Sequence, residues 1–459
     1  MTAKKTGIIR DFTTGSIGRE LLLFSVPFML SNALQVLYSM VDMAVVGNVV
    51  GSAGLSAVST ASQVVNFMTM LCVGFATGGQ VYISQLIGAG RRDALRAAIG
   101  TLFSLVALIG AGMTVLGTVF ARVFLRWLLT PAESFDMAVS YLLVCAGGML
   151  FTYGYNVVSA VLRGMGNSKM PFVFIAVASV VNLVLDCVFV IWFDWGVTGA
   201  AVATVIGQAV SFVYSVIYLA RRHEAFGFDF RPASFRMDKT ALRTHLRLGI
   251  PFALRSGAVN LSMMFVTGLV NGEGVVASAV FGVGLKVDDI VNKISVGITY
   301  AVSTMVGQNI AAGKIDRVKK SVYWGWAYAL ILYAVFTLVY LTEAEALFGL
   351  FTRDAAVRAL APLFVSALVW SFPAMILMRG TNGFTQGIGN SGLSLAFSLL
   401  DGVILRIGLS WLLGVACGLG IFGFFLGYGL ATYGTAIPGM IYFFSGIWKK
   451  RRMPELARE

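Results

Sequence analysis

Asp42 and Asp186 stand inside long apolar stretches, with no basic residue within one helical turn of either. A charge at bilayer depth costs about 2.5–3.5 kcal/mol on insertion scales, so both are functional candidates from the outset. Their companions are polar but uncharged. Gln35, Tyr38 and Ser39 precede Asp42 by seven, four and three residues, and Asn182 precedes Asp186 by four; such spacings share a helix face. Thr204 and Gln208 are again four apart. Helices carrying these sets offer two carboxylates, an amide and hydroxyls to one cavity, with Gln35, Tyr38 and Gln208 as candidate cavity residues. Desolvation and mutual repulsion disfavour two ionised acids there, and uptake of a proton or a sodium ion relieves both. The plainer alternative is that each Asp only hydrogen-bonds to neighbouring helices.

The other charges at span depth are Asp288, Asp289, Asp401, Arg255, Lys286, Lys293 and Arg406. Asp289 lies four residues before Lys293 and three after Lys286, spacings that allow an ion pair within one helix. Asp401 and Arg406 are five apart, on adjacent turns but less well aligned. These residues, with Arg255, are read as structural or gating groups, and Arg255 and Arg406 as the only plausible arginines within spans. Cys72, Cys145, Cys187 and Cys417 lie in apolar stretches without paired spacing, which favours small core residues over zinc or disulfides. His223 and His245 border a polar stretch and are expected to be solvated. No span holds a histidine, a metal-ligand pair or a nucleophile with a base. The expectation is a protein that is not an enzyme and carries neither cofactor nor resident metal.

The elements that hold these residues are helices in lipid. The 459-residue chain is 58% hydrophobic and 12% charged, against roughly 45–50% and 25% for a soluble domain. Spans of about 20 helical residues are needed to cross a hydrocarbon core. Twelve are expected, near 20–46, 54–84, 97–121, 136–161, 170–193, 197–220, 246–270, 275–308, 320–342, 358–380, 393–416 and 419–447. The fold class is all-α integral membrane. A polar leader precedes the first span without a small-residue cleavage site, so no cleavable signal peptide is expected.

Basic residues cluster on alternate connections: Lys4, Lys5, Arg10 and Arg19 in the leader, Arg91, Arg92 and Arg96, then Arg163 and Lys169, and Arg221 to Arg247 in the middle. Lys314 to Lys320 and Lys449 to Arg452 continue the pattern. By the positive-inside rule both termini face the cytoplasm, in a multi-pass protein of the cytoplasmic membrane. The net charge of +13 is then a basic inner face rather than a nucleic-acid surface. Small-molecule substrates and membrane lipid are the partners expected, for a chain acting as a monomer.

The chain also repeats itself. Arg163-Gly164-Met165-Gly166-Asn167-Ser168 returns as Gln386-Gly387-Ile388-Gly389-Asn390-Ser391, and Gln85 to Gly90 returns as Gln308 to Gly313, both displaced by 223 positions. Pro27-Phe28 recurs as Pro251-Phe252, one residue off that register. Six spans per copy give parallel repeats, so the fold is two six-helix lobes related by pseudo-two-fold symmetry along the membrane normal. The expected divisions are a first lobe over 1–220, a cytoplasmic linker over 221–245, a second lobe over 246–448 and a cytoplasmic tail over 449–459. Pro27, Pro251 and Pro373 fall within spans as candidate hinges or static kinks. Asp42 falls opposite Val266 or a near neighbour and Asp186 opposite Leu409, which assigns the paired acids to the first lobe.

Pro27, Ser31-Asn32, Gln35, Tyr38, Val41-Asp42 and Val46-Gly47 resemble the first-helix signature of the multidrug and toxic compound extrusion (MATE) transporters. Gln85 to Gly90, Arg163 to Ser168, Asn182 to Asp186 and Gly199 to Thr204 resemble further motifs of that family in order. The resemblance covers essentially the whole chain. It implies two six-helix lobes around a cavity open to alternate faces. It also implies export of organic, often cationic, compounds against inward protons or sodium. In the branch with a first-lobe aspartate cation site, the matching positions are Asp42, Asn182, Asp186 and Thr204. A second-lobe cation site used by another branch lacks its acids here. A lipid-linked saccharide flippase of the same superfamily is the alternative.

Overall fold

The computed structural model describes residues 9–223 and 227–450. Lys4 and Lys5 of the leader, Glu224–Phe226 of the expected linker, and tail residues 451–459 with Arg451 and Arg452 lie outside the described residues. The described residues are helical throughout, joined by short turns. α1 (Ile17–Val49), α2 (Ser52–Gly88) and α3 (Arg92–Val119) lead to α4 (Ala132–Gly147) and α5 (Met149–Gly164), which meet at a 49° bend. α6 (Lys169–Asp186) runs into a π-helical turn over Cys187–Trp192, and α7 (Gly196–Ala220) ends the first copy.

The second copy repeats the order with α8 (Lys239–Asn271), α9 (Val275–Ala311) and α10 (Ile315–Thr342). α11 (Ala361–Val369) and α12 (Phe372–Gly387) follow, and their break is again bent by 49°. α13 (Ser391–Leu399) and α14 (Arg406–Trp411) are linked by a π-helical turn over Leu400–Leu405, with a second at Leu412–Ala416. α15 (Gly420–Leu430) and α16 (Tyr433–Ser445) complete it.

Helices dominate because lipid offers no partner to a bare backbone amide. Among the described residues, nine helices are long and apolar enough to cross a membrane, or eleven when each bent pair is one span. The remaining long helix is α9, whose middle carries Lys286, Asp288, Asp289 and Lys293. The glycines of the repeated motifs have a backbone reason to persist. Gly90 and Gly313 hold φ of 70° and 71°, and Gly166 and Gly389 hold 84° and 70°, where a side chain is strained. Pro373 is not the cause of its bend: it occupies the first turn of α12, where its missing N–H costs nothing, and the first copy bends alike at Gly148 without proline.

By packing, the chain divides into two compact units whose membership departs from the expected lobes. One unit holds Leu30–Ala253; Phe12–Met29 groups instead with the chain from Leu254 onward. The changes of membership fall inside α1 and α8, two residues past Pro27 and Pro251. Local contacts explain the first exchange. Phe12 donates its amide to Gln308 Oε1 at 2.9 Å, and its ring meets Phe24 at 4.8 Å. Arg317 donates to the carbonyls of Phe12, Thr14 and Gly15 at 2.8–2.9 Å, and Lys314 to that of Thr13 at 2.8 Å. This N-terminal strap is thus held by Gln308, Lys314 and Arg317.

The stretch expected to be a cytoplasmic linker is packed onto the first unit. Phe228 and Phe235 stack edge-on at 5.2 Å, Ser104 donates to the Phe235 carbonyl, and the Asp238 amide donates to Thr101 at 2.9 Å. A methyl at Gly100 would come within 1.8 Å of the Ser234 carbonyl, so α3 carries glycine where the segment crosses it. His245 is a correction to the sequence reading. It is fully buried, edge-on to Tyr82, with Nε2 2.9 Å from the Ala98 carbonyl. His223 is exposed, as expected.

Asp229 pins this segment by accepting from the Ser234 hydroxyl, from the Arg231 amide at 3.3 Å and from Arg96 at 2.9 Å. The Ser234 hydrogen bond, then the Arg231 amide and the two guanidiniums, hold its carboxyl below the usual range. A lowered folded-state value gives stability that is present above the unfolded value and lost as pH falls through the folded one. Asp229→Asn at neutral pH is therefore expected to speed hydrogen exchange of the 229–236 amides. The wild type, corrected for intrinsic rates, should loosen only below about pH 4. Equal protection in the variant would remove Asp229 from this role.

Candidate functional site

In the first unit, α1, α5, α6 and α7 line a narrow cleft whose free space, about 20 Å³, is near that of one water. Gln35 and Tyr38 enter from α1, Ser179 and Asn182 from α6, and Thr204 and Gln208 from α7. The spacings explain the convergence: 35, 38 and 42 run down one face of α1, and 179, 182 and 186 down one face of α6. Gly207 lets α7 close on α6, since a methyl there would sit 3.0 Å from the Ala178 carbonyl. Across that contact Asn182 Nδ2 donates to Thr204 Oγ1 at 3.4 Å.

The two acids stand one turn beyond this lining, Asp42 after Tyr38 and Asp186 after Asn182. Asp186 is 1% exposed, and both its carboxylate oxygens are shut from solvent without a hydrogen-bond partner among the described residues. Asp42 is 9% exposed with Oδ1 in the same condition. They lie within charge–charge range of each other and of Tyr38. Buried polar atoms are nearly always paired, and these three carboxylate oxygens depart from that rule among the described residues. A proton satisfies one oxygen; a sodium ion uses several, with the Asn182 and Thr204 oxygens nearby. Gln208 Oε1 is also without a partner, inside the cleft. Tyr155 and Ser179 line it too and went unnoticed in the sequence, although Ser179 shares its face with Asn182 and Asp186. Ser39 is exposed.

The second unit holds a different interior. Asp289 pairs with Lys293 at 2.8 Å, as the spacing suggested, but both side chains are half exposed. Lys286 instead stands over the Phe351 ring at 6.0 Å. The buried acid is Asp288, whose Oδ2 accepts from Tyr428 at 2.9 Å and from Asn292 at 3.0 Å. Asp401 and Arg406 form a buried ion pair at 3.0 Å, both side chains under 10% exposed. Their five-residue separation closes because the chain between them is π-helical, and i and i+5 then align. Thr435 donates to Asp401 at 3.2 Å, and the Arg406 guanidinium covers the Tyr428 ring at 4.9 Å.

Arg255 and Arg406 are not the only arginines at depth. Arg379 on α12 is 6% exposed and donates to Tyr333 at 3.1 Å and to Asn292. Its signal was its place inside the expected 358–380 span. Arg255 is partly buried, with Nη1 closed off and unpartnered. Cys72 and Cys145 are buried, Cys187 is intermediate, and Cys417 is exposed rather than a core residue.

Comparison with known proteins accords with this duplicated arrangement. The MatE family model matches the chain twice, over residues 27–188 and 251–412. The probable multidrug resistance protein YpnP of Bacillus subtilis is 29% identical, over 96% of this chain and 98% of its own. The probable multidrug resistance protein NorM of Thermotoga maritima is 25% identical, over 96% and 95%. A solved MATE structure in the straight conformation shares the fold with a TM-score of 0.91 at 21% identity, covering 98% of this chain and 100% of that one. Two matches to one family unit, spanning most of the chain, leave a single assignment: the chain belongs to the MatE family, the multidrug and toxic compound extrusion transporters.

Proposed function

We propose that the protein is a secondary antiporter, exporting organic and often cationic compounds in exchange for inward protons or sodium ions by alternating access. The observation that carries this reading is the pair of buried carboxylates, Asp42 and Asp186, with oxygens that no described residue satisfies. An ion taken up there replaces missing hydrogen bonds and removes the cost of charge in a dry interior. Asn182 and Thr204 complete the coupling site, while Gln35, Tyr38 and Gln208 border the space beside it. From the outward-open state, ion binding favours substrate release; the loaded protein turns inward, loses the ion and takes up substrate. The ion shifts this equilibrium only by binding the two states differently, and by reciprocity substrate must weaken ion binding. The multidrug names of the relatives favour drug export over saccharide flipping. Both termini are assigned to the cytoplasm of the cell membrane, and one chain suffices.

Purified protein in proteoliposomes tests this directly. With ethidium as the probe, an imposed proton or sodium gradient is expected to drive uphill transport, and the ion that does so is the coupling ion. Transport indifferent to both gradients would overturn antiport.

A further inference from the structure

We propose that the second lobe carries an acceptor site for an anionic oxygen group, centred on Arg255 and Arg379, that holds an acidic part of the exported molecule. The proposal rests on the export reading and adds to its substrate class compounds bearing a carboxylate or phosphate, including zwitterions.

Both oxygens of Asp401 are engaged, one by Arg406 and one by Thr435. Asp288 Oδ2 is held by Tyr428 and Asn292, while its Oδ1 is shut from solvent without a hydrogen-bond partner and Arg379 lies within electrostatic range. Arg406 is fixed by Asp401 and lies over Tyr428. Arg379 reaches only uncharged groups, Tyr333 and Asn292. Arg255 has no hydrogen bond or ion pair among the described residues, and its Nη1 is shut from solvent. Yet Arg379, Tyr300 and Asp401 all lie within electrostatic range of it.

Three guanidiniums therefore share this interior with two acids, and two of the three lack a carboxylate within ion-pair distance. A guanidinium cannot relieve that condition by giving up its proton. An uncompensated buried charge is strongly unfavourable, so an arrangement of this kind needs an anion from elsewhere. The planar fork of Arg matches the two oxygens of a carboxylate or phosphate, and Tyr333 already orients one fork.

The repeat sharpens the point. Arg255 stands opposite Ser31, Arg379 opposite Asn156 and Arg406 opposite Leu183, as Asp42 and Asp186 stand opposite Val266 and Leu409. On a common scaffold, the first copy places two acids at these positions and the second places arginines, beside its own buried Asp288 and Asp401.

Full-length protein in nanodiscs is melted with benzoate or with its uncharged isostere benzamide, at matched ionic strength. Benzoate is expected to raise the wild-type melting temperature by about 2–4 °C and benzamide to leave it unchanged. Arg255→Gln should lose the benzoate response without losing stability in anion-free buffer, because it removes an unpaired charge. Arg255→Lys, which keeps the charge without the fork, should retain a weakened response and serves if the first variant fails to fold. An equal response to benzamide, an undiminished response in Arg255→Gln, or marked destabilisation of that variant without anion would each overturn the site. Inorganic phosphate is run in parallel: if it acts at the same concentration as benzoate, the ligand is a free anion and the assignment to substrate falls. These readouts do not involve an ion gradient, so failure here leaves the antiport reading standing, and failure of the gradient test leaves this one.

Discussion

Asp42→Asn is expected to leave a folded protein whose export no longer responds to the coupling ion. The substitution keeps size and shape, and Oδ1 of Asp42 makes no hydrogen bond that an amide would forfeit. Removing a charge from a site 9% exposed lowers the burial cost, so the melting temperature should hold or rise. What disappears is the titratable, cation-binding oxygen. Coupling energies between linked sites are typically about 1–3 kcal/mol, so the gradient-driven component of transport should fall by roughly 5–150-fold. The measurement is probe accumulation in proteoliposomes with and without the gradient, beside a melting curve for each variant. Undiminished gradient dependence in a well-folded Asp42→Asn would move coupling away from the first lobe. Asp186→Asn is expected to behave alike, since Asp186 is buried more deeply and neither of its oxygens is satisfied.

Arg406→Met should be the most damaging substitution in the second lobe, but through stability rather than coupling. It strips Asp401 of its counter-ion in a site under 10% exposed and removes the guanidinium from the Tyr428 ring. Breaking a buried pair from one side costs about 3–5 kcal/mol, because the remaining charge is left uncompensated. The double variant Asp401→Leu/Arg406→Met should regain much of that loss, since an apolar pair of similar volume carries no such charge. Thermal unfolding of the single and double variants decides the matter. Loss in the double variant equal to the sum of the singles would mean that the two residues act independently, against the observed geometry.

The sequence carried the scaffold well, because repeats and apolar runs are direct consequences of lipid as solvent. It also grouped the polar residues of α1, α6 and α7, since 3- and 4-residue spacings report a shared face wherever the helix is regular. Asn182 and Thr204 do meet. That arithmetic fails where the helix changes pitch. Asp401 and Arg406 looked misaligned at five residues and are aligned by a π-turn, a feature with no pattern in side-chain type. It fails too between adjacent residues: Asp288 and Asp289 have the same chemistry, and only packing against Tyr428 and Asn292 shows which is buried. Composition did not show how the middle segment packs: Phe228, Phe230 and Phe235 anchor it, and His245, expected to be solvated, is buried. No local signal marked the exchange of Phe12–Met29, because its partners are distant in the chain.

That exchange bears on how the molecule is made. Phe12–Met29 is synthesised well before the rest of its unit, which resumes only at Leu254. At about 5–20 residues per second, the interval is roughly 10–50 s. Through that time a helix start with its aromatic cluster of Phe12, Phe24 and Phe28 waits without its native neighbours. The segment that leads into α8, by contrast, meets a unit already synthesised. A gene cut at the middle connection therefore does not yield two self-sufficient halves. The first fragment carries a strap whose binding surface is absent, and the second lacks the strap its surface is built to receive.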